Sequence, residues 1–249
     1  MNYKYKNNTK SPVIYTACFA LFAVVFTLCV ALVSLFSFSL QSKNDSFLTL
    51  ADNDEKFTII IDAGHGGEDG GAVSESGICE KNINLDISKK LYGLLMFTDF
   101  DVVMTRDSDI LLYKQGQEGR KKYYDITNRI NIASSYDNAL LISVHQNKFP
   151  IRKYYGFQVY YSKNNENSEI FANIIKNNVK TYLQPQNKRE IKAADENIRL
   201  LDSVHIPAVL AECGFLSNET EAALLNTEDY RNKIAYLLYV SIIEYVSNI

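Results

Sequence analysis

Residue patterning predicts an α/β fold: a single domain with a mainly parallel or mixed sheet covered by helices on both faces, preceded by one N-terminal transmembrane helix. From Lys56 onward, apolar runs of strand length alternate with segments whose apolar residues recur at helical spacing. Such alternation is typical of parallel strands joined by helices. Before Lys56, a long uncharged apolar stretch occupies residues 13–40. The folded domain is therefore expected at residues 56–249.

The apolar stretch at residues 13–40 has no charged residue over 28 positions and follows three lysines. Roughly 20 apolar residues cross a bilayer, whereas the apolar centre of a cleaved signal peptide has about 7 to 15 and ends in small residues. We expect an uncleaved signal anchor after a basic cytoplasmic segment at 1–12, with cleavage as the competing interpretation. The positive-inside tendency then places the polar linker at 41–55 and the domain at 56–249 on the extracytoplasmic side.

Charge and cysteine content argue against two classes of protein. The chain has 26 basic and 29 acidic residues, and residues 1–40 hold three lysines and no acid, so the remainder has a net charge of −6. Nucleic-acid binding depends on neutralising phosphates, so an acidic domain is a poor candidate for it. Cys18 and Cys29 lie in the apolar stretch, which leaves Cys79 and Cys213, too few for a disulfide framework.

The elements are predicted in order along the domain. Five strands are expected at Phe57–Ile61, Val102–Thr105, Ala139–Val144, Phe157–Tyr161 and Ala208–Ala211. Helical stripes of apolar residues occur at 83–95, 126–133 and 171–182, and a long closing helix is expected to about residue 246. Ser217 and Thr227 have the residue types that cap helix N-termini.

Side chains that can bind metal follow several of these elements. His65 comes after the first strand in a glycine-rich turn, and Glu80 lies at the start of the first helix. His145 and Glu212 each end an apolar run. A lone histidine is more often a packed or surface residue, but sites in open parallel sheets form beyond the carboxyl ends of strands, where these groups would meet. Two His and two Glu match a hydrolytic zinc centre, in which three protein ligands leave a fourth position for water.

Five motifs that contain these residues resemble, in order, those of the zinc-dependent N-acetylmuramoyl-L-alanine amidases. They are Asp62–Gly67, Glu80–Leu85, Thr105–Arg106, Ser143–Asn147 and Glu212–Asn218. The resemblance implies that His65, Glu80 and His145 bind Zn²⁺ and that Glu212 is the catalytic carboxylate. It also implies peptidoglycan as the substrate, cleaved at the amide between N-acetylmuramic acid and L-alanine.

In such a reaction the zinc ion would polarise the lactyl amide carbonyl and lower the pKa of its water to about 7. Glu212 would take the water proton and pass it to the departing nitrogen. Asn147 is a candidate to orient the substrate or a ligand, or else a turn residue. Arg106 and Arg129 are candidates to attract carboxylates of the stem peptide, although arginine is also common on surfaces. We expect His205 to be structural or exposed.

The segment Tyr113–Asp125 is interpreted as an insertion, either a solvated loop or a surface that grips a partner or glycan. It lacks an obvious amphipathic helix, so it is not expected to block the metal as inserted helices do in some relatives. The anchored layout without a wall-binding module resembles the sporulation and germination amidases that remove stem peptides during muramic-lactam formation in spore cortex. An activating or recruiting protein partner is also expected.

Two alternatives stay open at this point. A non-catalytic regulator on the same fold would bind glycan or a protein, although it would have no chemical need for Glu212. A zinc carboxypeptidase or sugar deacetylase would use the same metal and carboxylate on another bond. Only the family resemblance selects the lactyl amide.

Overall fold

The computed structural model describes Thr27, Ala31 and residues 56–248. The predicted basic segment, span and linker at residues 1–55 therefore lie outside the described residues, apart from Thr27 and Ala31. Within the part of the chain that is described, no helix combines the length and apolar character needed to cross a membrane.

A six-stranded mixed sheet forms the centre of the domain. Its strands are β1 (Thr58–Ala63), β2 (Asp101–Met104), β3 (Ala139–Asn147), β4 (Gln158–Tyr161), β5 (Lys192–Ala193) and β6 (Ala208–Phe215). They are ordered β2-β1-β3-β6-β4-β5. All neighbouring strands are parallel except β4 and β6, which are antiparallel. The carboxyl ends of β1, β3 and β6 therefore lie side by side at one edge.

Within residues 56–248, six α-helices connect and cover these strands. They are α1 (Glu80–Leu95), α2 (Lys121–Ala133), α3 (Asn167–Asn178), α4 (Arg199–Ser203), α5 (Glu219–Leu225) and α6 (Glu228–Val246). A short 3-10 helix, Glu118–Arg120, leads into α2, and a π-helical turn, Val179–Leu183, continues α3. The sequence-based expectation of a sheet covered by helices on both faces is confirmed.

The central strands are buried on both faces, so their apolar residues alternate between two cores. Ile59, Ile61 and Leu140 pack in the larger core with residues of α1, α3 and α6. Ile60 and Leu141 face the other way and pack in a smaller core with residues of α2 and α4. Among the described residues, α2 and α4 are the helices that contribute to this smaller core.

Several predicted boundaries need correction. The segment interpreted as an insertion is not only a loop, because its last residues form the first turn of α2, which begins at Lys121. The cap of α5 is Asn218 rather than Ser217: the Asn218 side chain accepts a hydrogen bond from Glu221 N, whereas the Ser217 hydroxyl accepts one from Phe149 N. The predicted cap Thr227 is confirmed, since its side chain accepts a hydrogen bond from Tyr230 N at the start of α6.

Candidate metal and catalytic site

The turn after β1 presents His65 in a strained backbone conformation. Among the described residues, His65 is the non-glycine residue with a positive φ, 62°. Two glycines make room for the side chains that surround it. A Cβ on Gly64 would lie 2.2 Å from His145 Nε2, and one on Gly71, which has a φ of 66°, would lie 2.6 Å from Glu80 Oε2. The glycine-rich sequence therefore forms a cradle that side chains larger than glycine would fill.

Arg106 and Arg129 hold this turn from behind. Arg106 donates to Ala63 O at 2.8 Å and to Gly64 O at 3.0 Å. Arg129 donates to Ala63 O at 2.7 Å and to His65 O at 2.8 Å. Both side chains are almost fully buried, at 2% and 1% exposure. Strained backbone persists only when its surroundings fix it, and these bonds do so here.

Arg129 also forms a buried ion-pair network. Its guanidinium lies 2.6 Å from Asp62 and 2.8 Å from Asp125. Burial opposes ionisation of Asp62, but Arg129 and the hydroxyl of Ser143 outweigh it and lower the pKa of Asp62 to about 2. The predicted contact of Arg106 and Arg129 with substrate stays a prediction, whereas their observed bonds position the His65 turn.

The site brings together the three predicted ligand residues. Glu80 lies at the N-terminus of α1, where a carboxylate is favoured by the helix dipole. Its Oε1 lies 2.9 Å from His145 Nδ1, and its Oε2 lies 3.3 Å from His65 Nε2. One ligand atom from each of His65, Glu80 and His145 can be chosen so that all lie within 4.8 Å of one another. One divalent cation could contact all three.

Two residues that the sequence reasoning missed orient these ligands. Asp69 Oδ2 lies 2.9 Å from His65 Nδ1, which leaves His65 Nε2 directed toward Glu80. Asn84 donates to Glu80 Oε1 at 3.2 Å and to Gly64 O at 3.1 Å. Such outer contacts fix the rotamer and basicity of metal ligands. Asn84 was detectable, because it lies one helical turn after Glu80 on the same face.

The charge of the cluster suits a cation. Burial opposes protonation of His65, but hydrogen bonds and charge from Glu80 and Asp69 raise its pKa to about 9. Burial likewise opposes ionisation of Glu80, yet His145 and His65 hold the pKa of Glu80 well below its usual range. The negative potential that retains a proton on this imidazole would equally favour a divalent metal, which competes with protons for the same nitrogen.

Glu212 lies beside this cluster on β6, where its Cα is the register partner of His145 on β3. Its Oε2 is buried and has no hydrogen-bond partner among the described residues. Burial is the largest influence on this carboxyl and raises its pKa to about 7. A buried carboxylate of neutral pKa without a structural bond is suited to general acid–base work.

Strand alternation separates Cys213 from the site. Its side chain packs in the larger core on the opposite face from Glu212, and its thiol is free. Burial raises the pKa of this thiol far above its usual range. Cys213 therefore points away from the candidate metal site.

A cleft of about 490 Å³ opens above these groups on the face of α2 and α4. Its lining includes His65, His145 and Glu212 from the strand ends, Tyr123 from α2 and Arg199 from α4. Asn147 is absent from the described residues that line this cleft, and its backbone carbonyl accepts a hydrogen bond from Leu216 N. A His₂Glu donor set beside an open cleft and an unpaired acid fits a catalytic zinc site.

Comparisons with known proteins agree with this geometry. Residues 59–244 match the family model described as N-acetylmuramoyl-L-alanine amidase. The chain is 34% identical over 218 residues to the germination-specific N-acetylmuramoyl-L-alanine amidase of Bacillus subtilis, which covers 86% of this chain and 90% of that protein.

Solved structures are similar as well. One is the CwlD amidase from Clostridioides difficile in complex with the GerS lipoprotein, with a TM-score of 0.74, 40% identity and coverage of 78% of this chain and 100% of that chain. Another is the N-acetylmuramoyl-L-alanine amidase from Clostridium difficile 630, with a TM-score of 0.68, 26% identity and coverage of 78% and 98%.

Proposed function

The chain belongs to the N-acetylmuramoyl-L-alanine amidase family, and from that premise we propose that it is a zinc-dependent enzyme. Its proposed reaction is hydrolysis of the amide between N-acetylmuramic acid and the L-alanine of the peptidoglycan stem peptide. One observation supports this most: a potential His65–Glu80–His145 metal site adjoins a buried, unpaired oxygen of Glu212.

His65, Glu80 and His145 would hold the zinc ion. When bound at such a site, zinc supplies Lewis acidity toward a carbonyl and lowers the pKa of water to about 7. Asp69 and Asn84 keep the ligand side chains in place through the hydrogen bonds described above. Arg106 and Arg129 keep the His65 turn in its strained conformation.

Glu212 performs the proton transfers in this proposal. The carboxylate of Glu212 accepts a proton from the attacking water as the water oxygen bonds to the lactyl carbonyl carbon. The same carboxyl group then donates that proton to the amide nitrogen, and the carbon–nitrogen bond breaks. The products are a muramic acid carboxyl group and a stem peptide with a free amino terminus on L-alanine.

We also propose a setting for this reaction. The apolar stretch at residues 13–40 would anchor the chain in the membrane, with the domain on the extracytoplasmic side. Similarity to a germination-specific amidase supports a role in spore-cortex maturation. The similar CwlD amidase is in complex with the GerS lipoprotein, which supports an activating or recruiting protein partner for this chain.

Product analysis tests the reaction. Purified peptidoglycan is digested with the zinc-loaded full chain, and the products are identified by mass spectrometry. Release of intact stem peptides that begin with L-alanine is expected. Shortened stems would indicate a carboxypeptidase and free glucosamine a deacetylase. A zinc-loaded chain that binds the glycan without cleavage, also with a partner present, would indicate a regulator.

A further inference from the structure

An arginine and a tyrosine that line the cleft are in contact with each other. Tyr123 belongs to the first turn of α2, and Arg199 begins α4. The guanidinium carbon of Arg199 lies 4.9 Å from the centroid of the Tyr123 ring. A cation held over an aromatic face is attracted by the ring's electrons, so Tyr123 restricts the orientation of this guanidinium.

Apart from Glu212, the acidic side chains that line the cleft are already paired with cations. Asp69 lies 3.3 Å from Lys122, and Asp62 and Asp125 both bind Arg129. For Arg199, no carboxylate within ion-pairing distance occurs among the described residues. Arg199 is therefore an oriented, exposed positive charge in the cleft lining without a carboxylate counter-ion among the described residues.

Arg199 is accessible to an acidic ligand in the cleft, in contrast to the two arginines that were predicted from the sequence. Arg106 and Arg129 are buried and bonded to the backbone of the His65 turn. Arg199 is exposed and lines the same cleft as His65 and Glu212. A guanidinium offers paired donors in a plane that match the two oxygens of a carboxylate.

We infer that Arg199, oriented by Tyr123, binds a carboxylate of the stem peptide and thereby selects acidic peptides over amidated ones. This inference rests on the proposed function, in which the departing group is a peptide that carries free carboxylates. Arg199 is a specificity-determining residue in this reaction, and Tyr123 positions it. The Zn²⁺ ligands and Glu212 act on the bond, whereas Arg199 acts on the remote part of the same substrate.

The test uses two synthetic N-acetylmuramoyl peptides of identical sequence, one with free carboxylates and one with carboxamides in their place. The zinc-loaded full chain, R199A and R199K are compared on both. For R199A, we expect KM for the carboxylate peptide to rise about tenfold, as for loss of a hydrogen bond to a charged group, with kcat nearly unchanged. The kinetics of the carboxamide peptide should not change. For R199K, KM for the carboxylate peptide should lie between the values for the wild-type chain and for R199A.

Arg120 provides a matched control. Its guanidinium carbon lies 4.6 Å from the same Tyr123 ring, but Arg120 is absent from the described residues that line the cleft. We expect R120A to keep the wild-type preference for the carboxylate peptide. Equal losses on both peptides in R199A, or equal losses in R199A and R120A, would overturn the role of Arg199. Failure of the wild-type chain to cleave either peptide would instead contradict the proposed function.

Discussion

Glu212 lies opposite His145 in the register of two neighbouring parallel strands, β6 and β3. This pairing places a buried carboxylate beside a candidate metal ligand, and both residues lie on strands of the sheet. Sites built on strands are held more rigidly than sites on loops. The proton-transfer group and the metal would therefore keep a fixed separation, which leads to a first prediction about how their roles divide.

Replacing Glu212 with Gln should abolish turnover while keeping the metal. The amide has nearly the same size but cannot accept the water proton, so kcat should fall by about 10²- to 10⁴-fold. His65→Ala should instead lose both zinc and activity, because it removes a ligand. Zinc content by elemental analysis and the rate of stem-peptide release distinguish the two variants. Near-normal turnover by Glu212→Gln would remove its assigned role.

Replacing Gly64 with Ala should damage the metal site through packing alone. The new Cβ would lie 2.2 Å from His145 Nε2, so the imidazole must move. Gly70→Ala is the matched control, because a Cβ there meets nothing within 4 Å. We expect zinc affinity, measured by competition with a chelator, to fall only for Gly64→Ala. Equal affinity in both variants would show that the cradle does not constrain His145.

Replacing Asp69 with Asn should weaken zinc binding without removing a ligand. Asp69 lies 2.9 Å from His65 Nδ1, and loss of such an outer carboxylate typically reduces metal affinity by about 10- to 100-fold. Lys122→Ala is the control, because Lys122 is exposed and contacts Asp69 but no predicted ligand. Calorimetric titration with Zn²⁺ measures both. A smaller loss for Asp69→Asn than for Lys122→Ala would contradict this orienting role.

Replacing Arg129 with Met should destabilise the domain. The substitution leaves Asp62 and Asp125 buried without their cation, and breaking a buried pair from one side costs about 3–5 kcal/mol. Lys233→Met removes an exposed pair with Asp229 at 2.7 Å and should change the free energy of unfolding little. Urea denaturation measures both variants. Similar free energies of unfolding would argue against the structural role of Arg129.

Acidification should act on the same network. The pKa of Asp62 is lowered from an ordinary value of 3.8 to about 2, so its ionised form stabilises the native state above about pH 4. That stabilisation is lost as the pH falls through about 2. We therefore expect Asp62→Asn to flatten the dependence of unfolding free energy on pH between about 4 and 2. Both proteins are treated with a chelator, so that no metal contributes to stability. The same pH dependence of unfolding free energy in Asp62→Asn and in the wild-type chain would contradict the lowered pKa.

The meeting of the four candidate groups could be predicted from the sequence because it follows from strand topology. Parallel strands end at a common edge, so the sequence alone places residues that follow apolar runs, such as His65 and His145, close together. Glu80 and Glu212 followed from the same reasoning and from the family motifs.

Other features depend on contacts that patterning does not encode. β5 has two residues and α4 has five, too few for a recognisable period. The short helix that begins at Arg199 was therefore not predicted. The sequence also does not distinguish a buried arginine from an exposed one. Arg129 pairs with Asp125 one turn earlier on α2, but its second partner, Asp62, comes from β1, and patterning does not predict that contact. The strand β4 was predicted, but its antiparallel direction relative to β6 was not, because hydrophobic periodicity does not report strand direction.

Anomalous diffraction from crystals of the zinc-saturated protein tests the metal site most directly. We predict one zinc peak per chain, bonded to the side chains of His65, Glu80 and His145, with Glu212 close by but not bonded. A saturated crystal with no peak among these three side chains, or with zinc held elsewhere in the cleft, would contradict it.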